Sequence, residues 1–309
     1  MKRALSLFFK GAGMGAADAV PGVSGGTIAF VTGIYEELID TIRRFGPAGY
    51  AAWRRDGLRG LAEHLNLAFL IPLLLGIGAS LVSIAHLVTY LMDNQPLLLN
   101  AFFFGLVLAS AVVVTRHING WRLWHVLLLA LGMLLAQLLP GLMPALSGLG
   151  ALQLVVGGAI AISAMLLPGV SGSFLLLSMG LYGTVMTGIK SLDIGLILQF
   201  GIGCLIGLAT CSRLLAWLFR HHHAATLQLL AGFIVGSLPL LWPWREMTRY
   251  QLGAEQQIIP LDYRFLWPDD YAALTGEPAQ LWSALALMAC GLVLVLVVGE
   301  RSTSSFKEH

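Results

Sequence analysis

Six stretches of the chain are predominantly apolar over about the 20 residues a helix needs to cross a bilayer: 66–92, 97–115, 122–140, 193–219, 224–242 and 281–299. Two more apolar stretches, 4–39 and 150–187, are each interrupted near the middle by Pro-Gly-x-Ser-Gly. Proline removes a backbone donor and glycine loosens a helix, so neither stretch favours a straight span. Each is long enough for two half-helices joined by a turn. Non-helical backbone at membrane depth persists only where it is buried in protein or lines a wet cavity. The pattern therefore predicts an all-α integral membrane protein with two re-entrant hairpins, turning at Pro21-Gly22 and Pro168-Gly169.

Composition agrees. The 309 residues are 57% hydrophobic and only 11% charged, and mean hydropathy is +0.81. A soluble domain carries about 25% charged residues, so an ordinary soluble enzyme and a disordered chain are both excluded. A net charge of +2 is too balanced for a nucleic-acid partner. Cys204, Cys211 and Cys290 sit in apolar segments without metal-ligand spacing and read as small core residues. Neither a metal nor a cofactor is expected. Lys2 and Arg3 resemble the start of a secretory signal, but the apolar run that follows is short and reaches Asp18 and Pro21 without a cleavage site. With a cytoplasmic N-terminus, all but four of the 18 Lys and Arg (Lys190, Arg245, Arg249 and Arg264) fall on the cytoplasmic side. This matches the positive-inside rule and puts both termini in the cytoplasm.

Shifted by 147 residues, the chain matches itself. VPGVSGGTIAFVTGIYEELI (20–39) lies over LPGVSGSFLLLSMGLYGTVM (167–186), with Gly33/Gly180 and Tyr35/Tyr182 among the identities. The first repeat, 1–146, comprises hairpin 4–39, a basic insert 40–65 and three spans. The second, 147–309, comprises hairpin 150–187, three spans and a far-side loop 243–280. Three crossings between the hairpins mean that the second enters from the opposite face, giving an inverted-topology repeat with its substrate site near the midplane. The alternative is a duplication that only builds a bundle.

In such turns glycines let backbone N–H groups converge into an anion-binding nest. Ser24, Gly25, Gly26 and Thr27 form one donor cluster, and Ser171, Gly172 and Ser173 the other. Two opposed clusters without a fixed charge suit an anion that must be released, and phosphate accepts several hydrogen bonds at once. Asp18, an acid inside hairpin 1, is a candidate for proton coupling or for capping a broken helix; its aligned partner is Met165. Glu36 is a second coupling candidate at the hairpin exit. Tyr35 and Tyr182 are phosphate donors or interfacial aromatics. Arg213, within a span, either snorkels to the cytoplasmic side or pairs with the anion. His86 reads as a bundle residue and His221–His223 as a solvated turn. The segment 47–64, with Trp53, Arg54, Arg55 and Arg59, reads as an interfacial helix near anionic lipid.

The stretches GMGAADAVPGVSGGTIAFVTGIYEELI (13–39) and AISAMLLPGVSGSFLLLSMGLYG (161–183) resemble a family of prokaryotic membrane proteins, long a domain of unknown function, now associated with polyprenyl-phosphate transport. The resemblance covers essentially the whole chain. It implies that undecaprenyl phosphate, the lipid carrier of cell-wall synthesis, is flipped back to the cytoplasmic leaflet of the bacterial inner membrane for reuse. Its partners would be that lipid and the membrane, with a homodimer as a candidate assembly. It also implies that 21–25 and 168–172 contact the head group. Inward movement of a phosphate opposes an inside-negative potential, which makes proton co-transport an expectation. The alternatives are a polyprenyl diphosphate phosphatase, which would carry arginine where Gly25 and Gly172 stand, and a small-anion channel or exporter.

Overall fold

The computed structural model describes residues 2–18, 23–116, 122–142, 152–252 and 258–306. The protein is mostly helical. Its first half contains α1 (Lys2–Asp18), α2 (Gly25–Val31), α3 (Tyr35–Arg43), α4 (Pro47–His64), α5 (Leu67–Asn94), α6 (Pro96–Arg116) and α7 (Leu123–Leu142). Its second half contains α8 (Leu152–Leu166), α9 (Gly172–Ser178), α10 (Tyr182–Lys190), α11 (Ile194–His221), α12 (His223–Ser237), α13 (Pro268–Thr275) and α14 (Leu281–Phe306). Three helices (Pro96–Thr115, Ile194–His221 and His223–Leu241) are long and apolar enough to cross a membrane, or up to five if each bent pair counts as one span. The protein is a multi-pass membrane protein.

The expected breaks occur, but each hairpin stretch holds three helices rather than two. Pro21 and Gly22 lie outside the described residues. Beyond them Ser24 caps α2, its Oγ accepting from Gly26 N. Ser171 caps α9 in the same way, accepting from Phe174 N. Such caps satisfy donors that a helix start leaves free. The unexpected second break falls at Gly33 (φ 71°) and Gly180 (φ 73°). Both glycines sit in the left-handed region that a side chain disfavours, and there α9 and α10 bend by 109°.

Helices at matched positions have matched lengths. Each half has a 7-residue helix (α2, α9), a 9-residue helix (α3, α10) and a 28-residue helix (α5, α11). The long helices end on the same backbone, Gln95 at φ −142°, ψ 50° and His222 at φ −138°, ψ 48°. Close packing recurs too. Gly11 of α1 has no room for a Cβ beside the Leu73 carbonyl of α5, nor Gly76 of α5 beside that of Phe8. Their equivalents Gly158 and Gly203 meet the carbonyls of Phe200 and Val155 in the same way. Across the halves, Gly105 and Gly291 bring α6 against α14, and Gly132 and Gly232 bring α7 against α12. Small residues drive this packing because lipid offers helices no hydrophobic reason to associate.

Register gives direction. Gly11 meets Leu73 and Gly15 meets Ile77; Val155 meets Gly203 and Ala159 meets Gly207. Residue numbers rise together, so α1 runs parallel to α5 and α8 parallel to α11.

One region differs from the sequence expectation. The far-side loop 243–280 contains an antiparallel pair, β1 (Arg245–Leu252) and β2 (Ile258–Phe265), followed by α13. Arg245 is anchored there by the Leu240 carbonyl and by the Tyr263 ring at 4.2 Å, and burial lowers its pKa. The segment 47–64 forms the expected helix, α4, kinked at Gly57 (φ 64°), with Trp53, Arg55 and Arg59 exposed.

Candidate functional site: two touching hairpin turns

The start of α2, just after the first Pro-Gly-Val-Ser-Gly, meets the second Pro-Gly-Val-Ser-Gly turn. Gly169 N donates to Thr27 Oγ1 at 2.9 Å. Tyr35 Oη donates to the Leu166 carbonyl at 2.6 Å. Gly26 lies so close to the Met165 carbonyl that a Cβ would come within 3.1 Å of it. Residues 142 and 131 apart in sequence are thus joined directly.

The two clusters differ in access. Ser24 is 3% exposed and Thr27 1%, and Gly25 and Gly26 are buried. Gly25 N donates to Asp18 Oδ1 at 2.6 Å, so an acid of the protein's own chain already occupies the acceptor place at the start of α2. In the second turn the equivalent side chain is Met165, whose Cγ methylene packs over Gly172 where Asp18 packs over Gly25. A thioether is a weak acceptor. Among the described residues no side-chain oxygen accepts from Gly172 N or Ser173 N. Ser171 is half-buried and Ser173 exposed, their hydroxyls 3.0 Å apart. Pro168 and Gly169 are buried, and Gly169 adopts φ 82° against the Phe233 carbonyl. Beside this turn lies an apolar cavity of about 300 Å³, reached by Leu167 and Val170.

Other candidates stand elsewhere. The Arg213 guanidinium donates to the carbonyls of Ala209 and Phe45, at the end of the first hairpin, with no turn residue among its hydrogen-bond partners in the described residues. Glu36 pairs with His223 at 2.9 Å, which the sequence did not reveal because 187 residues separate them. Tyr35 is a buried strut, 2% exposed, rather than an interfacial aromatic; Tyr182 is half-buried. Lys10 counted in the sequence only as cytoplasmic charge, yet its Nζ donates to the Thr32 carbonyl at 2.7 Å. It caps the negative end of α2 at the second break. A lone cation in an apolar helix was the signal. Glu37 accepts from Arg3 at 2.6 Å and from Asn66 at 3.0 Å. Asp40 is held by Arg43 and Arg44: burial raises its pKa, but those hydrogen bonds outweigh it and keep the carboxyl below its usual range. The side chain of His86 lies outside the described residues. Among the described residues no group of three His, Cys, Asp or Glu is placed to hold a metal.

No solved structure matches this chain. A polyprenyl-phosphate transporter of Vibrio cholerae serotype O1 is 41% identical over 292 residues, covering 94% of this chain and 95% of that protein. A polyprenyl-phosphate transporter of Staphylococcus aureus is 32% identical over 257 residues, covering 76% and 84%. These relatives are named for transport, not for a catalysed reaction. The family model described as VCA0040-like, undecaprenyl phosphate translocase-like, matches residues 14–258, a span that includes both touching turns. The chain belongs to that family.

Proposed function

We propose that this protein is a transporter that flips a polyprenyl phosphate, undecaprenyl phosphate foremost, across the bacterial cytoplasmic membrane and so returns the carrier lipid for reuse. The observation that carries the reading is the direct contact between the start of α2 and the second Pro-Gly-Val-Ser-Gly turn through Thr27 and Gly169. An anion passing between leaflets needs a polar station within the bilayer, since a phosphate is costly to bury unpaired while a prenyl tail is at home in lipid. The names of both relatives and of the family agree with this substrate.

In this reading residues 1–146 and 147–309 are inverted repeats, and the parallel courses of α1 with α5 and α8 with α11 support it. A chain that re-enters beside its own starting helix must first turn back, as a re-entrant hairpin does. The N- and C-termini are cytoplasmic, and the basic helix α4 lies on the cytoplasmic leaflet. The phosphate is received at the second turn by Ser171, Gly172 and Ser173, where among the described residues no side-chain oxygen takes the Gly172 and Ser173 N–H groups and the two hydroxyls are bonded only to each other and to Phe174 N. Asp18 holds the first turn shut through Gly25 N. A proton on Asp18 would weaken that hold, which couples the proton gradient to exchange of the anion between turns. A phosphatase would need an arginine to neutralise the transferring group. Gly25 and Gly172 stand in its place, with Asp18 and Ala161 crowding them.

The test is flipping of fluorescent undecaprenyl phosphate in proteoliposomes. Ser171→Ala with Ser173→Ala should lower the rate about tenfold or more, because hydrogen bonds to charged groups contribute about 1.5–3 kcal/mol each. Asp18→Asn should remove the response to an imposed pH gradient. An unchanged rate in the double variant rejects the site. An unchanged pH response in Asp18→Asn rejects the coupling.

A further inference from the structure

We propose that the cavity of about 300 Å³ beside the second turn is a shape-selective groove for the head-proximal isoprene units of the lipid. This rests on the polyprenyl-phosphate reading and extends it from the head group to the tail. The groove lies between α8, α11 and the start of α9, with Ile160, Ser163, Leu167, Val170, Leu175 and Thr210 among its walls. Its two hydroxyls are already committed within their own helices. Ser163 Oγ donates to the Ala159 carbonyl at 2.7 Å and Thr210 Oγ1 to the Ile206 carbonyl at 2.8 Å. The groove therefore offers a ligand branched aliphatic surface and no spare side-chain donor, which excludes a head group and fits a hydrocarbon.

Position fixes which hydrocarbon. Leu167 and Val170 flank Pro168-Gly169, and Val170 immediately precedes the cap Ser171. A chain attached to a phosphate held at Ser171 and Ser173 enters the groove with its first units. Thr210 is exposed at the rim, on the same helix as the exposed Leu198, Ile202, Leu205 and Ile206, so the rest of the tail passes into lipid. Pockets for small ligands span about 300–1,000 Å³, and the small size of this one suits a few units, not a whole polyprenyl chain.

The groove cannot select by hydrophobicity, because lipid tails are as apolar as leucine. It selects by packing, because many weak close carbon contacts add up only where the shapes match. Walls of Ile, Leu, Val and Ala leave the irregular space that a methyl-branched chain fills and a straight acyl chain does not. The geometry thus separates a prenyl phosphate from phosphatidic acid, which carries a comparable phosphate.

The experiment uses the full-length protein in nanodiscs with undecaprenyl phosphate bearing a photoactivatable diazirine in its second isoprene unit. Labelling should fall on 159–170 and 206–210, compete with unlabelled undecaprenyl phosphate at least tenfold better than with phosphatidic acid, and drop about tenfold in Thr210→Trp. Thr210→Val keeps the shape and should label like the parent. Labelling confined to other segments, equal competition by phosphatidic acid, or full labelling in Thr210→Trp overturns the groove. Flipping by the same preparation, measured in parallel, separates the two claims. Flipping retained with labelling elsewhere rejects the groove alone, whereas no flipping by the parent protein rejects the transport reading and the groove with it.

Discussion

The two turns cap their following helices with an equivalent serine, Ser24 and Ser171, and differ in the side chain that stands over the next glycine. In the first, Asp18 accepts from Gly25 N and the serine, glycines and threonine beside it are buried. In the second, Met165 takes the same position over Gly172, and Ser173 faces outward. A repeat preserves geometry because helix packing demands it: the glycines at the helix crossings tolerate no Cβ. It does not preserve chemistry: at equivalent positions Asp18 accepts from Gly25 N, whereas Met165 offers Gly172 N no side-chain oxygen.

Met165→Asp should break this difference with the largest effect. A carboxylate within a membrane segment costs about 2.5–3.5 kcal/mol, and one placed over Gly172 as Asp18 is over Gly25 would compete for Gly172 N with the phosphate proposed to bind there. Flipping in proteoliposomes should fall roughly 100-fold while the protein still elutes as a folded species. An undiminished rate would show that the second turn does not receive the anion.

Thr27→Val tests the joint between the turns. The replacement keeps the shape but leaves the buried Gly169 N–H without its acceptor, at a cost of about 1–3 kcal/mol. Thermal unfolding in detergent should shift down accordingly, and an unshifted midpoint would mean that the contact carries no load. The tyrosine pair sharpens the contrast on a smaller scale. Tyr35→Phe removes the bond to the Leu166 carbonyl and should cost about 1 kcal/mol. Tyr182→Phe, at a half-buried site, should stay within about 0.5 kcal/mol. Equal losses would mean that the two hairpins are braced alike.

The smallest expected effect lies at the exit of the first hairpin. The Asp40 carboxyl is held below its usual range by Arg43 and Arg44. A depressed folded-state pKa adds stability that is present above the unfolded value of 3.8 and disappears as pH falls through the folded one. Protease cleavage within 40–47 should therefore rise only below about pH 4, and Asp40→Asn should abolish that dependence.

Much of the architecture was legible in residue order. Of the six apolar runs, those at 97–115, 193–219 and 224–242 correspond to helices long and apolar enough to span among the described residues, and the doubled Pro-Gly-Val-Ser-Gly marked the breaks, because proline and glycine act on the local backbone wherever they stand. The second break was equally local, written in Gly33 and Gly180, but those glycines read as ordinary positions in an apolar run until their positive φ was seen. The β-pair at 245–265 escaped because a short polar hairpin between spans carries little periodicity. Of the site, the residue types and the Asp18/Met165 asymmetry were visible. The contacts of Thr27 with Gly169, Tyr35 with Leu166 and Glu36 with His223 were not.

The sequence by itself determined that this chain lives in a membrane, is built twice and breaks its helices at matched places, since hydropathy and backbone preference belong to each residue and its near neighbours. Only the tertiary structure decided that the start of α2 touches the second turn, that Thr27 and Tyr35 bond to backbone there, and that Asp18 takes Gly25 N while Met165 stands over Gly172. Hydrogen bonds between residues more than a hundred positions apart depend on how glycine-lined helices stack, and no local pattern records that.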